Sequence, residues 1–221
     1  MFLTPENYFI GHNAGSSITT GQFNSFIGYE AGKLNTAVRN GSFLGYKAGM
    51  NNTEGNFNVF IGNYSGYENT TGYSNVFLGD SSGKSNTVGE NNVFIGSQAG
   101  KLNSEGRNNI FMGTGAGFSN TTGRRNIFLG TQAGLSNTEG DLNTCIGVLA
   151  GTNNTTGNRN ICIGQASGYR NSEGSYNIYI GDRSGIFNES GEANVFLGQS
   201  AGENNISGSS NVFIGERAGF N

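Results

Sequence analysis

The sequence predicts an all-β chain folded as a parallel β-solenoid, or β-roll, with one coil to every 17 residues. Three observations carry this. Glycines stand at 11, 28, 45 and every 17 residues to 215, thirteen copies without an insertion or deletion. A period this short belongs to stacked single coils, because helical repeats need about 30 residues or more. Each of these glycines closes a run of strand formers, as in "NVFIG" at 92–96. Finally, 16 Phe and 9 Tyr do not fit a solvated coil, and glycine does not recur at every third residue as collagen requires. The whole chain, 1–221, reads as a single repeat domain.

Within a coil the strand comes first. Val59, Phe60 and Ile61 give its pattern: Val or Ile, then Phe, then Ile, Leu or Met. Side chains alternate along a strand, so the two aliphatics point one way and Phe the other. Phe holds the middle place in ten of thirteen coils, and Cys145, Cys162 and Tyr179 hold the rest. A 17-residue coil is narrow, and one face of its strand must line the inside. The opposite face is also apolar, and a stripe that long exceeds what a soluble monomer usually leaves in water. Another copy of the chain is the simplest cover. The reading places Phe60, Phe77, Phe94, Phe111, Phe128, Phe196 and Phe213 in an inter-chain core. With the faces exchanged, the rings fill the coil and the aliphatics face outward.

Corners follow the strand. A second glycine comes four residues after the first, from Gly15 to Gly219, and the residue before it is always Ala or Ser. That column predicts a tight interior turn. A third glycine, ten residues after the first, appears in 11 of 12 places, with Val38 the exception. It ends segments such as "NTTG" and "NSEG", where Asn tolerates a left-handed backbone and Gly adopts one freely. Asn opens that corner in 11 of 12 coils, Asn69, Asn86, Asn103, Asn120 and Asn137 among them, and Ile18 departs. Another Asn precedes the strand in 12 of 13 coils, where Gly41 departs. Stacked in register, such Asn columns form hydrogen-bonded ladders, a structural role that needs no ligand.

Catalysis needs unlike groups brought together, whereas a regular solenoid supplies like groups in rows. His12 has no Cys or Ser nucleophile near it in sequence. Cys145 and Cys162 fill the Phe place in adjacent coils, ~4.8 Å apart, and read as two buried free thiols rather than a disulfide. "GTGAG" at 113–117 is not followed by the Lys-Ser/Thr or helix of a phosphate loop. The repeats also lack the Asp of calcium-binding β-rolls. Glu105, Glu139 and Glu173 share a column but skip alternate coils, which keeps like charges ~10 Å apart. Thr or Ser follows the corner Asn in 10 of 12 coils, a hydroxyl file that an ice-binding face could use, although it lies in a turn. Tyr67, Phe118, Tyr169 and Phe220 recur every third coil. They are candidates for stacking on sugars, or for burial at a chain–chain contact beside Met50, Leu135 and Ile186. No enzyme activity, cofactor or metal is expected.

A net charge of −3 gives no case for nucleic acid or an anionic membrane. No apolar run approaches the ~20 residues of a membrane helix. The opening "MFLTPENYFIG" lacks the basic and apolar segments of a secretory signal. Export then relies on a signal outside this sequence or on another route, such as release within a virus particle.

The stretches "NNVFIGSQAG" and "ANVFLGQSAG" resemble the head repeats of trimeric autotransporter adhesins, whose units run Asn-Ser-Val-Ala-Ile-Gly with a following Ala or Ser. Related repeats occur in tail-fibre-like proteins of phages and other viruses. The resemblance covers all thirteen coils, although the unit here is longer and Phe replaces the central Ala. It implies a left-handed roll, a side-by-side homotrimer, and an extracellular fibre, bacterial or viral, that attaches to a host surface or glycan. Neither end of the sequence carries a helix or a charged strand, and Pro5 alone blunts the start. A rod of ~60 Å with open ends is expected to be one segment of something longer, through flanking domains or end-to-end stacking into a filament.

Overall fold

The computed structural model describes residues 2–4 and 6–220, with side chains from residue 6 onward. The chain falls into two compact units, Met1–Asn109 and Ile110–Asn221. Both are all-β and both are parallel β-solenoids. In the first unit the strands are β1 (Phe2–Thr4), β2 (Asn7–Ile10), β3 (Asn24–Ile27), β4 (Ser42–Leu44), β5 (Val59–Ile61), β6 (Val76–Leu78) and β7 (Val93–Ile95). From β2 to β7 each strand pairs in parallel with the next, offset by 17 residues: Phe43 lies against Phe60, and Phe60 against Phe77. The second unit repeats this with β8 (Ile110–Met112), β9 (Ile127–Leu129), β10 (Thr144–Ile146), β11 (Ile161–Ile163), β12 (Ile178–Ile180), β13 (Val195–Leu197) and β14 (Val212–Ile214).

The inside of the coil is the main correction to the sequence reading. Phe60, Phe77, Phe94, Phe111, Phe128 and Phe196 are 0% exposed within one chain. They form the intrachain core and have no surface left to offer a second copy. Phe213, in the last coil, is half-buried. In the first unit the rings stack from Phe9 to Phe94, with centroids 4.6–5.0 Å apart. Strand spacing sets this distance, so every coil added covers one more ring face. The faces are therefore exchanged relative to the expected inter-chain core, and the aliphatics point outward.

The two Asn columns share the interior with the rings. Asn86 donates from Nδ2 to Oδ1 of Asn69 at 2.6 Å, and Asn103 to Asn86 at 2.7 Å. In the second unit Asn137 donates to Asn120 at 2.8 Å. Each also reaches the glycine carbonyl three residues on, as Asn86 does at Gly89 (3.0 Å). The Asn before the strand accepts the next coil's amide: Asn75 N lies 2.9 Å from Asn58 Oδ1. Among the described residues, every buried side-chain nitrogen or oxygen has a partner. A wholly polar ladder inside a coil this thin is stable only because it is complete.

The corners also depart from expectation. The corner Asn and the third glycine are not left-handed. Gly72 is required instead by close approach, since a Cβ there would sit 2.4 Å from the carbonyl oxygen of Gly89. Among the described residues, left-handed backbone falls on 24 non-glycine residues, φ 50–62°, in two columns: two residues after the first glycine, and just before the strand Asn. Asn, Ser, Gln, Arg and even Phe23 occupy these places, but never Val, Ile or Thr, whose branched Cβ fits there worst.

One coil breaks the pattern twice, and the two breaks compensate. Val38 stands for glycine and Gly41 for the strand Asn. A Cβ on Gly41 would lie 3.1 Å from Val38 Cγ1 and 3.1 Å from Asn24 Oδ1. Buried Val38 therefore fills the room that Asn takes elsewhere, while the Gly41 amide still donates to Asn24 at 2.8 Å. Val38→Gly and Gly41→Asn are each expected to destabilise by about 1–3 kcal/mol. The double substitution restores the consensus and should cost less than the sum by over ~1 kcal/mol. Strict additivity in urea denaturation would remove this account.

The open start expected for the chain is also corrected. Strand β1 runs antiparallel to β2, pairing Phe2 with Phe9, Leu3 with Tyr8 and Thr4 with Asn7. It occupies the edge onto which a further parallel coil would stack. Pro5, read as a blunting residue, lies outside the described residues.

Candidate interaction surface

Two columns of side chains point outward from the strands. In the first unit they are Tyr8, Ser25, Ser42, Val59, Val76 and Val93, and beside them Ile10, Ile27, Leu44, Ile61, Leu78 and Ile95. Most are half-exposed, and Leu44 is 47% exposed. The second unit carries the same two columns, from Ile110 and Met112 to Val212 and Ile214. No residue in either column is charged in any of the thirteen coils. Six strands in the first unit and seven in the second, at ~4.8 Å, with two side chains ~7 Å apart, make an uncharged and mostly apolar patch on the order of 200–300 Å² per unit, interrupted by Ser25, Ser42 and Thr144.

A third outward column, one residue past the first glycine, changes character along the chain. It begins with His12, Tyr29 and Tyr46, then becomes mostly polar with Asn63, Asp80, Ser97, Thr114 and Thr131. His12, Tyr29 and Tyr46 stack at 5.3 and 5.4 Å, and Tyr64 and Tyr67 extend the cluster edge to face at 5.3 and 5.4 Å. Lys47 lies over the Tyr46 ring and Lys84 over the Tyr64 ring, each 5.3 Å from the centroid. Glu30, itself buried, accepts from Lys33 at 2.7 Å and faces Lys47 at 3.7 Å. The Lys33 hydrogen bond holds its carboxyl below the usual range. A hydrogen bond to Tyr46 pushes the Tyr64 phenol up.

The remaining sequence candidates are not gathered into a site. Tyr67 joins the aromatic cluster through Tyr64. Phe118 and Tyr169 are half-buried in the second unit, three coils or ~14 Å apart, too far for a ring of one to touch the other. The hydroxyl file is engaged internally: Thr70 Oγ1 donates to the Thr87 carbonyl at 3.0 Å, and Thr138 to Thr155 at 3.1 Å. Hydroxyls committed to the next coil are not free to donate to ice. Cys145 and Cys162 lie opposite each other in register, both buried and free. A hydrogen bond to the Cys162 sulfur, then burial, pushes the Cys145 thiol well up, which keeps it protonated and unreactive. Among the described residues, no three His, Cys, Asp or Glu side chains form a metal-holding group, and no helix is long and apolar enough to cross a membrane. No protein-family model, curated protein or solved structure matches this chain.

The sequence reading missed the His12–Tyr29–Tyr46 cluster, although the signal was present. Three aromatic rings at an exact 17-residue spacing, in a column otherwise mostly polar, are visible once residues are aligned by coil.

Proposed function

We propose that this chain is a non-enzymatic structural subunit of an extracellular adhesive fibre, assembled side by side from copies of itself through the outward aliphatic columns. One observation carries the proposal: two adjacent columns without a charge in thirteen coils, on a face that the chain's own fold leaves uncovered. A solvated strand face is normally polar. An uncharged aliphatic face fits contact with a like face. The resemblance to trimeric autotransporter heads and viral tail fibres supports three copies, a left-handed coil and a place on a cell or virion surface. Growth by stacking further coils onto β2 is disfavoured, because β1 already takes that edge.

Sedimentation equilibrium at micromolar concentration tests this reading. The native chain should sediment as an oligomer, with three copies expected. Leu78→Lys together with Ile163→Lys, one change in each unit, should weaken association at least about a hundredfold, or ~2.8 kcal/mol, with the far-ultraviolet spectrum retained. A native chain that is monomeric under these conditions would overturn the proposal.

A further inference from the structure

We infer that the ring cluster of His12, Tyr29, Tyr46, Tyr64 and Tyr67 is a binding platform for a β-1,4-linked polysaccharide chain lying along the coil stack. The inference deepens the adhesive reading, on which it rests, by naming the class of receptor and the place where it is held.

Packing accounts for the interior rings but not for these. The Phe column is sealed, whereas Tyr29 and Tyr46 remain 45% and 42% exposed, and equivalent coils manage with Asn63, Asp80 or Ser97 in their place. Tyr64 and Tyr67 extend the cluster edge to face and are themselves only half-buried.

The geometry selects the ligand. Rings in contact need only ~3.5–4 Å between faces, yet these centroids are 5.3 and 5.4 Å apart with planes 19° and 12° from parallel. At that face separation the centroid distances correspond to a slip of about 4 Å between neighbouring rings, consistent with the exposure that Tyr29 and Tyr46 keep although each is stacked. The C–H faces of an equatorially substituted pyranose pack on such ring faces, because the ring's negative π surface meets the sugar's positive hydrogens. The repeat along the ladder is close to the length of one sugar in an extended β-1,4-linked chain; successive sugars are turned over by half a revolution, and each can pack one of its two C–H faces on successive rings. An α-linked glucan coils and cannot keep that register. Lys47 and Lys84, over the Tyr46 and Tyr64 rings, place ammonium donors beside the ladder for sugar hydroxyls.

Co-sedimentation with insoluble cellulose, with chitin and with granular starch tests the inference, using the full chain. The native protein should pellet with cellulose or chitin and not with starch. Tyr29→Ala with Tyr46→Ala should lower the bound fraction at least tenfold, while Tyr29→Phe with Tyr46→Phe keeps it, because stacking and not the phenol oxygen carries the contact. Sedimentation equilibrium of the same variants should show an unchanged oligomer, which separates this inference from the assembly proposal. Failure of the native chain to bind either β-linked polymer, equal binding to starch, or dissociation of the Ala variant's oligomer would each overturn it. The last outcome would make the ladder a chain–chain contact.

Discussion

Phe77→Ala should destabilise the first unit by about 3–5 kcal/mol, whereas Val76→Ala and Leu78→Ala on the same strand should each cost under ~1.5 kcal/mol in the isolated chain. Phe77 is completely buried, with Phe60 5.0 Å away on one side and Phe94 4.8 Å away on the other. Both neighbours are fixed by their own strands, so neither ring can move into the space, and the cavity term is felt in full. Val76 and Leu78 are half-exposed and have less burial to lose. Coils interact chiefly with their neighbours, so the loss should appear first as local opening. Guanidinium denaturation together with amide exchange in β5, β6 and β7 gives the measurement. A reversed ranking, with the aliphatics costing more than the ring, would put the aliphatics back inside the coil.

The same strand shows how far the sequence can be read. Period, strand position and parallel register were all legible, because a strict 17-residue recurrence leaves only one way to align the coils. The inward face was not read correctly, although a parity argument was available. Asn75 and Phe77 are two residues apart and must share a face. A ladder of Asn amides that replaces water by coil-to-coil bonds belongs inside, and parity then carries Phe in with it. The greater hydrophobicity of two aliphatic columns hid this, since both strand faces are apolar and hydropathy alone cannot rank them.

The backbone was less legible still. Left-handed residues were expected at the corner Asn and Gly, on the usual preferences of those residue types. They occur instead at places filled by Gln98, Leu142, Arg159 and Tyr176, where local preference is overruled by the geometry of closing a 17-residue coil. The trace in the sequence is negative: Val, Ile and Thr are missing from two columns while polar and aromatic residues vary freely. The aromatic ladder was hidden for another reason. His12, Tyr29 and Tyr46 are few, and a column is noticed by what recurs throughout, not by what recurs three times.

The five residues "GTGAG" at 113–117 hold three glycines, two of them in the recurring glycine columns and Gly115 in neither, and the structure gives each a different cost of replacement. Gly113→Ala should be among the most damaging single changes in the second unit, at least ~3 kcal/mol. Its φ is 135°, and a Cβ there would lie 2.5 Å from the carbonyl oxygen of Gly130 in the next coil. That obstacle is backbone and cannot swing aside without separating the two coils. Gly117→Ala should cost nearly as much, because its Cβ would enter the Phe111 ring at 2.5 Å and the ring is held in its stack against Phe128. Gly115 is different. Its φ is 65°, and the nearest atom to an added Cβ is a Leu135 methyl at 3.5 Å, an ordinary contact. Its column elsewhere accommodates Gln132 and Leu149 at φ 57° and 60°. Gly115→Ala should therefore cost only the left-handed preference, about 1 kcal/mol, and Gly115→Asn less. Melting temperatures of the four variants, measured on one preparation, check the order. If Gly115→Ala proved as harmful as Gly113→Ala, damage would track the mere presence of a methyl group, and the assignment of three separate roles to these glycines would fail.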